Sequence, residues 1–318
     1  MIARELVSPP AYAEEVYKGL TNSPKTLPCK LFYDSTGSAL FEEITRLPEY
    51  YLTRTELQIL RQHAADMARA AGTGVTVVEL GSGTAAKTCT LLQALSERQL
   101  RVPYYPVDIS PAALKEACER VELQCPQVSV RAVIADLSQG FGFLSEIPGR
   151  KLVLYHGSSI GNFDPPAAVE MLSQIRSQLV QYDALLLGTD LVKGPQILLP
   201  AYDDAQGVTE QFNKNILRRL NGELGADFNL DWFRHIASWN AQQSRIEIYL
   251  ESLRPQVVAI PSLSLCVRFG NGERIHTENS YKYTLGMVNG MLEPAGFELT
   301  HTWFDQQKLF ALHLARIK

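Results

Sequence analysis

Between Val75 and Leu187, short apolar runs rich in β-formers alternate with segments of helical period, and this alternation limits the chain to few folds. The runs are Val75–Leu80, Val102–Val107, Val128–Ile134, Lys151–Tyr155 and Ala184–Leu187. Strands apolar along their length are covered on both faces, and the helical segments between them supply the cover. The pattern therefore predicts βαβ units and a parallel sheet. Ser110-Pro111 and Asp164-Pro165 each pair an N-cap residue with proline at the first helical position, where its missing N–H costs nothing. Thr53-Arg54-Thr55-Glu56 has the form of a capping box ahead of Leu57, Leu60, Ala64 and Met67 at helical spacing.

The C-terminal end follows another rule. Asn279–Leu292 reads as a helix stopped by Pro294 and Gly296, then Phe297–Trp303 and Leu309–Ala315 read as two strands joined by the polar turn Asp305-Gln306-Gln307. Two segments stay outside the repeated pattern: the N-terminal region to Glu56, and Pro195 to Tyr281, which is helical and then strand-like over Arg245–Leu253 and Val257–Val267. The expectation is an α/β sheet domain of residues 57–194 and 282–318, with a smaller α+β domain of residues 1–56 and 195–281.

Composition narrows the partners. Hydrophobic residues make up 46% and charged residues 20%, with 30 basic against 34 acidic side chains and no long run of either sign. A formal net charge of −4 speaks against nucleic acid or an anionic membrane. The N-terminus carries acidic residues where a signal peptide has its apolar core, and no apolar stretch approaches the ~20 residues that span a bilayer. The five cysteines (29, 89, 118, 125 and 266) form no CxxC pair and no Cys/His cluster at zinc spacing, so no metal site is expected. Reduced thiols in a cytoplasmic protein fit this usage, and a monomer is expected.

The most informative stretch is Val77-Val78-Glu79-Leu80-Gly81-Ser82-Gly83-Thr84, which joins a buried strand to a helix through two glycines. Gly81 and Gly83 permit a tight turn and close approach to a ligand, at the strand ends where open α/β sheets bind cofactors. Gly81 to Ala86 also satisfies the dinucleotide pattern GxGxxA, which alone is weak. Four features favour S-adenosylmethionine over a nicotinamide. Glu79 precedes the first glycine by two residues. Lys87 offers a cation to a methionine carboxylate. Asp136, followed by Leu137, offers a carboxylate to an adenine amino group. The terminal hairpin closes the sheet of many methyltransferases and is missing from the typical dehydrogenase. Asp108, ending the second strand, suits the ribose hydroxyls of either cofactor, the alternative being that it caps the next helix.

Longer motifs carry a resemblance. These are Phe32 to Ser38 (FYDSTGS), Leu47 to Glu56 (LPEYYLTRTE), Gly157 to Asn162 (GSSIGN), Gly188 to Lys193 (GTDLVK) and Ala201 to Asp204 (AYDD). Together they resemble, over essentially the whole chain, the histidine-specific Nα-methyltransferases of ergothioneine biosynthesis. The resemblance implies a Rossmann-like methyltransferase sheet with a C-terminal antiparallel hairpin and a second, substrate-binding domain. It implies that Gly81, Lys87, Asp108, Asp136 and Leu137 contact S-adenosylmethionine, joined by Gly83 of the loop, with Tyr33 near its amino-acid end. It also implies a substrate site of Tyr50, Gly157, Asn162, Tyr202, Glu278 and Ser280. Within it, Asn162 and Tyr202 hold the amino and carboxylate groups, while Glu278 and Ser280 meet the imidazole. Ile248 stands where the family carries a methionine, a stiffer apolar side chain that bears on substrate preference.

On this reading the α-amino group of histidine is methylated, up to the trimethylated betaine hercynine. No side chain acts as a catalytic base, because the amine need only lose its proton before each transfer. His63 and His313 read as packing or surface residues, and His156, at the fourth strand's end, is the histidine nearest a ligand position. Competing readings are methylation of tryptophan or another aromatic amine, a nicotinamide oxidoreductase, and a binding protein without turnover.

Overall fold

In the computed structural model, residue 10 and residues 12–318 are described, and the chain divides into two compact units. One comprises the described residues to Tyr51 with Gly194–Ser280, the other Leu52–Lys193 with Tyr281–Lys318. Residues 1–9 and 11 of the N-terminal stretch read above lie outside the described residues, while its Glu14 and Glu15 fall in the first helix. Strands and helices are numbered along the chain, beginning with β1 (Lys25–Thr26), α1 (Ala13–Thr21), α2 (Ser35–Ile44) and α3 (Tyr51–Ala71).

The second unit contains the expected sheet. Strands β2 (Val75–Leu80), β3 (Val102–Asp108), β4 (Val128–Val130), β5 (Val133–Ile134), β6 (Arg150–Tyr155) and β7 (Ala184–Asp190) run parallel. Helices α4 (Cys89–Ser96), α5 (Pro111–Gln124) and α6 (Pro165–Ser177) connect them. The eight-stranded order is β13-β14-β7-β6-β2-β3-β4 with β5 also on β3; β13 is Phe297–Phe304 and β14 is Phe310–Ile317. Strand β14 runs antiparallel to both neighbours, so the terminal hairpin closes the sheet as the sequence predicts. Every residue of β2 and β7 is buried, which is why both read as largely apolar runs, with Thr76, Glu79, Thr189 and Asp190 as their buried polar members. One face packs Val78, Val107, Val153 and Leu187 against Leu172 and Ile175 of α6 and Val288 and Leu292 of α8 (Leu285–Leu292). Each such leucine contributes roughly 1.5–3 kcal/mol of burial.

Several boundaries move. The Val128–Ile134 run splits into β4 and β5 around Arg131, whose N–H donates to the Tyr104 carbonyl at 2.8 Å. Helix α3 starts at Tyr51, so Thr53 to Glu56 lie within it; Glu56 is wholly buried with partners elsewhere and closes no capping box. Ser110 caps α5 through the Ala113 N–H as predicted, whereas Asp164 makes no cap bond and instead accepts from the Tyr281 hydroxyl at 2.8 Å. The stretch predicted as helix from Asn279 continues as strand to Tyr281, and α8 begins only after Thr284, whose hydroxyl accepts from Met287 N.

The first unit is built on an antiparallel hairpin of β8 (Phe233–Asn240) and β9 (Arg245–Ser252). Strand β12 (Arg274–Tyr281) lies beside β9, and β1 adds in parallel at its edge, pairing Lys25 with Ile275. Helix α7 (Val208–Leu224) presents Phe212, Ile216, Leu217, Leu220 and Leu224 as one buried stripe at helical spacing. The run predicted over Val257–Val267 is two strands, β10 (Gln256–Ile260) and β11 (Leu265–Phe269), because Pro261 and left-handed Ser264 (φ 50°) force a turn. Among the described residues no helix is long and apolar enough to cross a membrane.

Candidate active site

From β2 the chain continues sideways to β3 and β4, then returns to place β6 on the other flank, so the strand order reverses between β2 and β6. Ligands of open α/β sheets bind beyond the strand ends at such a point. Gly81 (φ 65°) and Gly83 (φ 50°) are left-handed there, and a Cβ on either would meet nothing within 4 Å. The loop is stitched to β3: Ser82 N–H donates to the Val107 carbonyl at 3.0 Å, and Asp108 Oδ2 accepts from Gly83 N–H at 3.0 Å. Asp108 Oδ1 accepts from Ser110 N–H at 2.9 Å, so this carboxylate both braces the glycine loop and enters α5. Asp136, just past β5, accepts from Ser138 N–H at 2.9 Å and heads a helical turn that starts with half-buried Leu137. Strand β5 pairs Ile134 with Asp108, which sets the two carboxylates at neighbouring strand ends.

Lys87 is tied by its ammonium to Glu56 Oε2, and Glu56 Oε1 accepts from Gly157 N–H at 2.9 Å. Burial alone pushes the Glu56 carboxyl up, but Lys87, His156 and the Gly157 N–H outweigh it and leave the group below its ordinary range. Gly157 (φ 73°) and Ser158 (φ 60°) are successive left-handed residues after β6, and the Ser158 hydroxyl anchors them by accepting from Asp190 N–H at 2.8 Å. A non-glycine residue in that conformation stores strain, a feature that gathers at functional loops. His156 is 6% exposed, neither ring nitrogen has a hydrogen-bond partner among the described residues, and Nδ1 stands 3.4 Å from Glu79 Oε1. Glu79 itself accepts from Thr88 Oγ1 at 2.6 Å and from the Tyr104 hydroxyl. Asn162 is half-buried at the end of the short helix Ser159–Asn162, and its amide forms no hydrogen bond among the described residues. Gly161 is small for a packing reason: a Cβ there would lie 2.9 Å from the Tyr281 carbonyl oxygen.

The first unit gathers another set. The Tyr202 hydroxyl shares a 2.8 Å hydrogen bond with Ser280 Oγ, and the Tyr50 ring meets the Tyr202 ring edge-on at 6.4 Å. Behind Tyr202 runs a buried relay. Thr277 Oγ1 donates to Asn213 Oδ1 (2.9 Å), Asn213 Nδ2 bonds His235 Nδ1 (2.9 Å), and His235 Nε2 bonds the Tyr202 carbonyl (2.7 Å). A carbonyl only accepts, so Nε2 carries the proton and Nδ1 accepts. Burial holds His235 below its usual pKa and therefore neutral. Glu278 and Ser280 lie two apart on β12, Glu278 half-buried and Ser280 buried. Ile248 shares the buried face of β9 with Ile246 and Leu250. Tyr33 is 40% exposed and packs edge-on against Phe41 and Phe212. The sequence places Glu56 in a helix-start pattern and at the end of the LPEYYLTRTE stretch without giving it a role, and gives His235 no distinguishing signal.

A family model described as "Histidine-specific methyltransferase, SAM-dependent" matches residues 12–317. The chain is 45% identical over 305 residues to histidine N-alpha-methyltransferase of Mycolicibacterium smegmatis, covering 96% of this chain and 94% of that one. It is 43% identical over 307 residues to the protein of the same name in Mycobacterium tuberculosis, again covering 96% and 94%. A more distant relative, 28% identical over 315 residues (92% and 90% covered), is 4-dimethylallyltryptophan N-methyltransferase of Epichloe festucae var. lolii.

Proposed function

We propose a reaction course for a chain that belongs to the histidine-specific, S-adenosylmethionine-dependent methyltransferase family. It methylates the α-amino nitrogen of histidine, and we infer that it does so repeatedly, up to the trimethylated betaine. When bound, S-adenosylmethionine supplies an electrophilic methyl on a sulfonium sulfur that a neutral amine displaces. The residues present fit such a ligand: an open, left-handed glycine loop, one lysine and two carboxylates at neighbouring strand ends. In this proposal Lys87 holds the methionine carboxylate, Asp108 the ribose hydroxyls and Asp136 the adenine amino group. Gly81, Gly83 and Leu137 flank these contacts, with Tyr33 near the amino-acid end.

For histidine, Asn162 and Tyr202 hold the amino and carboxylate groups, Glu278 and Ser280 meet the imidazole, and Tyr50, Gly157 and Ile248 complete the surroundings. The observation that carries this reading is the buried relay ending on the Tyr202 backbone carbonyl, with the Tyr202 hydroxyl bonded in turn to Ser280. A chain of satisfied polar groups that fixes the backbone of Tyr202 is costly to bury and does no packing that apolar side chains could not do. Each transfer leaves a positively charged nitrogen that must shed a proton to attack again. Ordinary solvent exchange suffices, and the chain's task is to align and desolvate the amine. A cytoplasmic setting is what we propose, supported by five free thiols, and a monomer is the state we propose for the chain there.

The test is a mass-spectrometric screen of amino acids incubated with the enzyme and S-adenosylmethionine. Histidine should gain one, two and then three methyl groups, and tryptophan little, because indole has a single ring N–H and no second ring nitrogen to meet Ser280. Accumulation of the monomethyl product alone, or equal turnover of tryptophan, overturns the corresponding part. Glu278→Ala should narrow the preference for histidine; unchanged selectivity would place the imidazole contact elsewhere.

A further inference from the structure

Glu56 has no part in the assignments above, yet several motifs converge on its carboxylate. It is 0% exposed, on α3, with Lys87 on one oxygen and the Gly157 N–H on the other at 2.9 Å. Gly188 of β7 leaves it room: a Cβ there would stand 2.6 Å from Glu56 Oε1. Buried carboxylates are expensive, and an apolar side chain of the same size often stabilises a fold better. A carboxylate kept at such a place, beside a cation at the strand-order reversal, has a task besides packing. A lysine ammonium is a point charge on a flexible stem with three donors. One bond to a fixed carboxylate removes much of its freedom and leaves two donors.

We propose that Glu56 is a positioning residue of the cofactor site, fixing the Lys87 ammonium and the Gly157 amide in one arrangement so that the methionine carboxylate meets a pre-oriented cation. The inference rests on the reading that Lys87 holds that carboxylate. It explains why Gly188 is a glycine and why Glu56 ends the LPEYYLTRTE stretch on an otherwise apolar helix face.

The experiment is a double-mutant cycle read by calorimetry with S-adenosylhomocysteine, using Glu56→Gln, Lys87→Met and the double variant. Glu56→Gln keeps the size and loses the charge. It should weaken binding at least about tenfold and raise KM for S-adenosylmethionine to match, with kcat at saturating donor falling less than about threefold. In the Lys87→Met background the same change should add nothing. Wild-type binding by Glu56→Gln while Lys87→Met binds weakly overturns the positioning role alone, as does full additivity in the double variant. Wild-type binding by Lys87→Met overturns the assignment of Lys87 and the proposal with it. Should Glu56→Gln fail to fold, Glu56→Asp serves: charged but one methylene short of reaching both partners, it should show the same loss, again cancelled by Lys87→Met.

Discussion

In the parallel-sheet unit the informative polar side chains stand at the C-terminal ends of strands, as with Asp108, His156 and Asp190, whereas in the antiparallel unit they lie between sheet and helix, as with Asn213, His235 and Thr277. The first arrangement fixes charges with backbone N–H groups: Asp108 takes one from Gly83 and one from Ser110. The second passes orientation from side chain to side chain and uses neutral groups throughout. A charged ligand is better met by the former, since charge-assisted bonds are the stronger ones and a loop amide costs little to aim. Hydroxyls that must hold one rotamer are better served by the latter.

The largest effect should come from Asp108→Ala, which removes the brace of the glycine loop and two proposed ribose contacts. At about 1.5–3 kcal/mol for each bond to a charged group, S-adenosylhomocysteine affinity should fall roughly a thousandfold by calorimetry. A loss under tenfold would mean that the loop, not the carboxylate, carries the binding.

Next comes a pH effect shared by both units. Burial pushes His313, which bonds Thr189 Oγ1 at 2.8 Å, down to about 4, while an unfolded histidine titrates near 6.5. The unfolded chain takes up this proton first, so the stabilisation is complete above pH 6.5 and is lost as pH falls toward 4. The slope reaches ~1.4 kcal/mol per unit, up to about 3 kcal/mol in all. His235, also lowered, adds in the same direction. Denaturant melts at pH 7 and pH 5 should show the loss, and His313→Gln should flatten the dependence. A slope unchanged by that substitution would assign it to other groups.

Tyr202→Phe sharpens the comparison from the other side. It removes the bond to Ser280 and one proposed substrate contact, about 2 kcal/mol together, or roughly a thirtyfold rise in KM for histidine. S-adenosylhomocysteine binding should not move; a matching change there would mean that Tyr202 serves the cofactor as well. The smallest expected effect is Ser110→Ala, which costs α5 its cap at about 1 kcal/mol, visible as a lower denaturation midpoint with an unchanged slope.

The same contrast governs what the sequence discloses. Strands covered on both faces must be largely apolar, so β2 and β7 announce themselves, and chain direction then puts Gly81 and Asp108 at the carboxyl ends of their strands, where open α/β sheets bind ligands. In the other unit nothing local marks Tyr50, Tyr202 or Glu278. Their meaning comes from neighbours far away in sequence, and only the family resemblance points to them. Glu56 illustrates a pattern with two causes, since Thr-x-x-Glu opens many helices yet here lies inside one and delivers a buried charge. Asn279 to Tyr281 fit either period, and pairing in β12 decides for strand.

The parallel pairing of Lys25 with Ile275 bears on how the chain is made. An edge strand near the N-terminus must wait for a partner some 250 positions later, so this unit cannot follow the usual rule that early segments fold while later ones are still being synthesised. The parallel sheet waits too, because β14 inserts between β7 and β13 and both precede it. Until then the edge of β7 stands open, with an apolar strand ready to pair with another chain. Slowing translation over the last forty or so codons should therefore prolong this vulnerable interval, raising the demand for chaperones without altering the finished molecule.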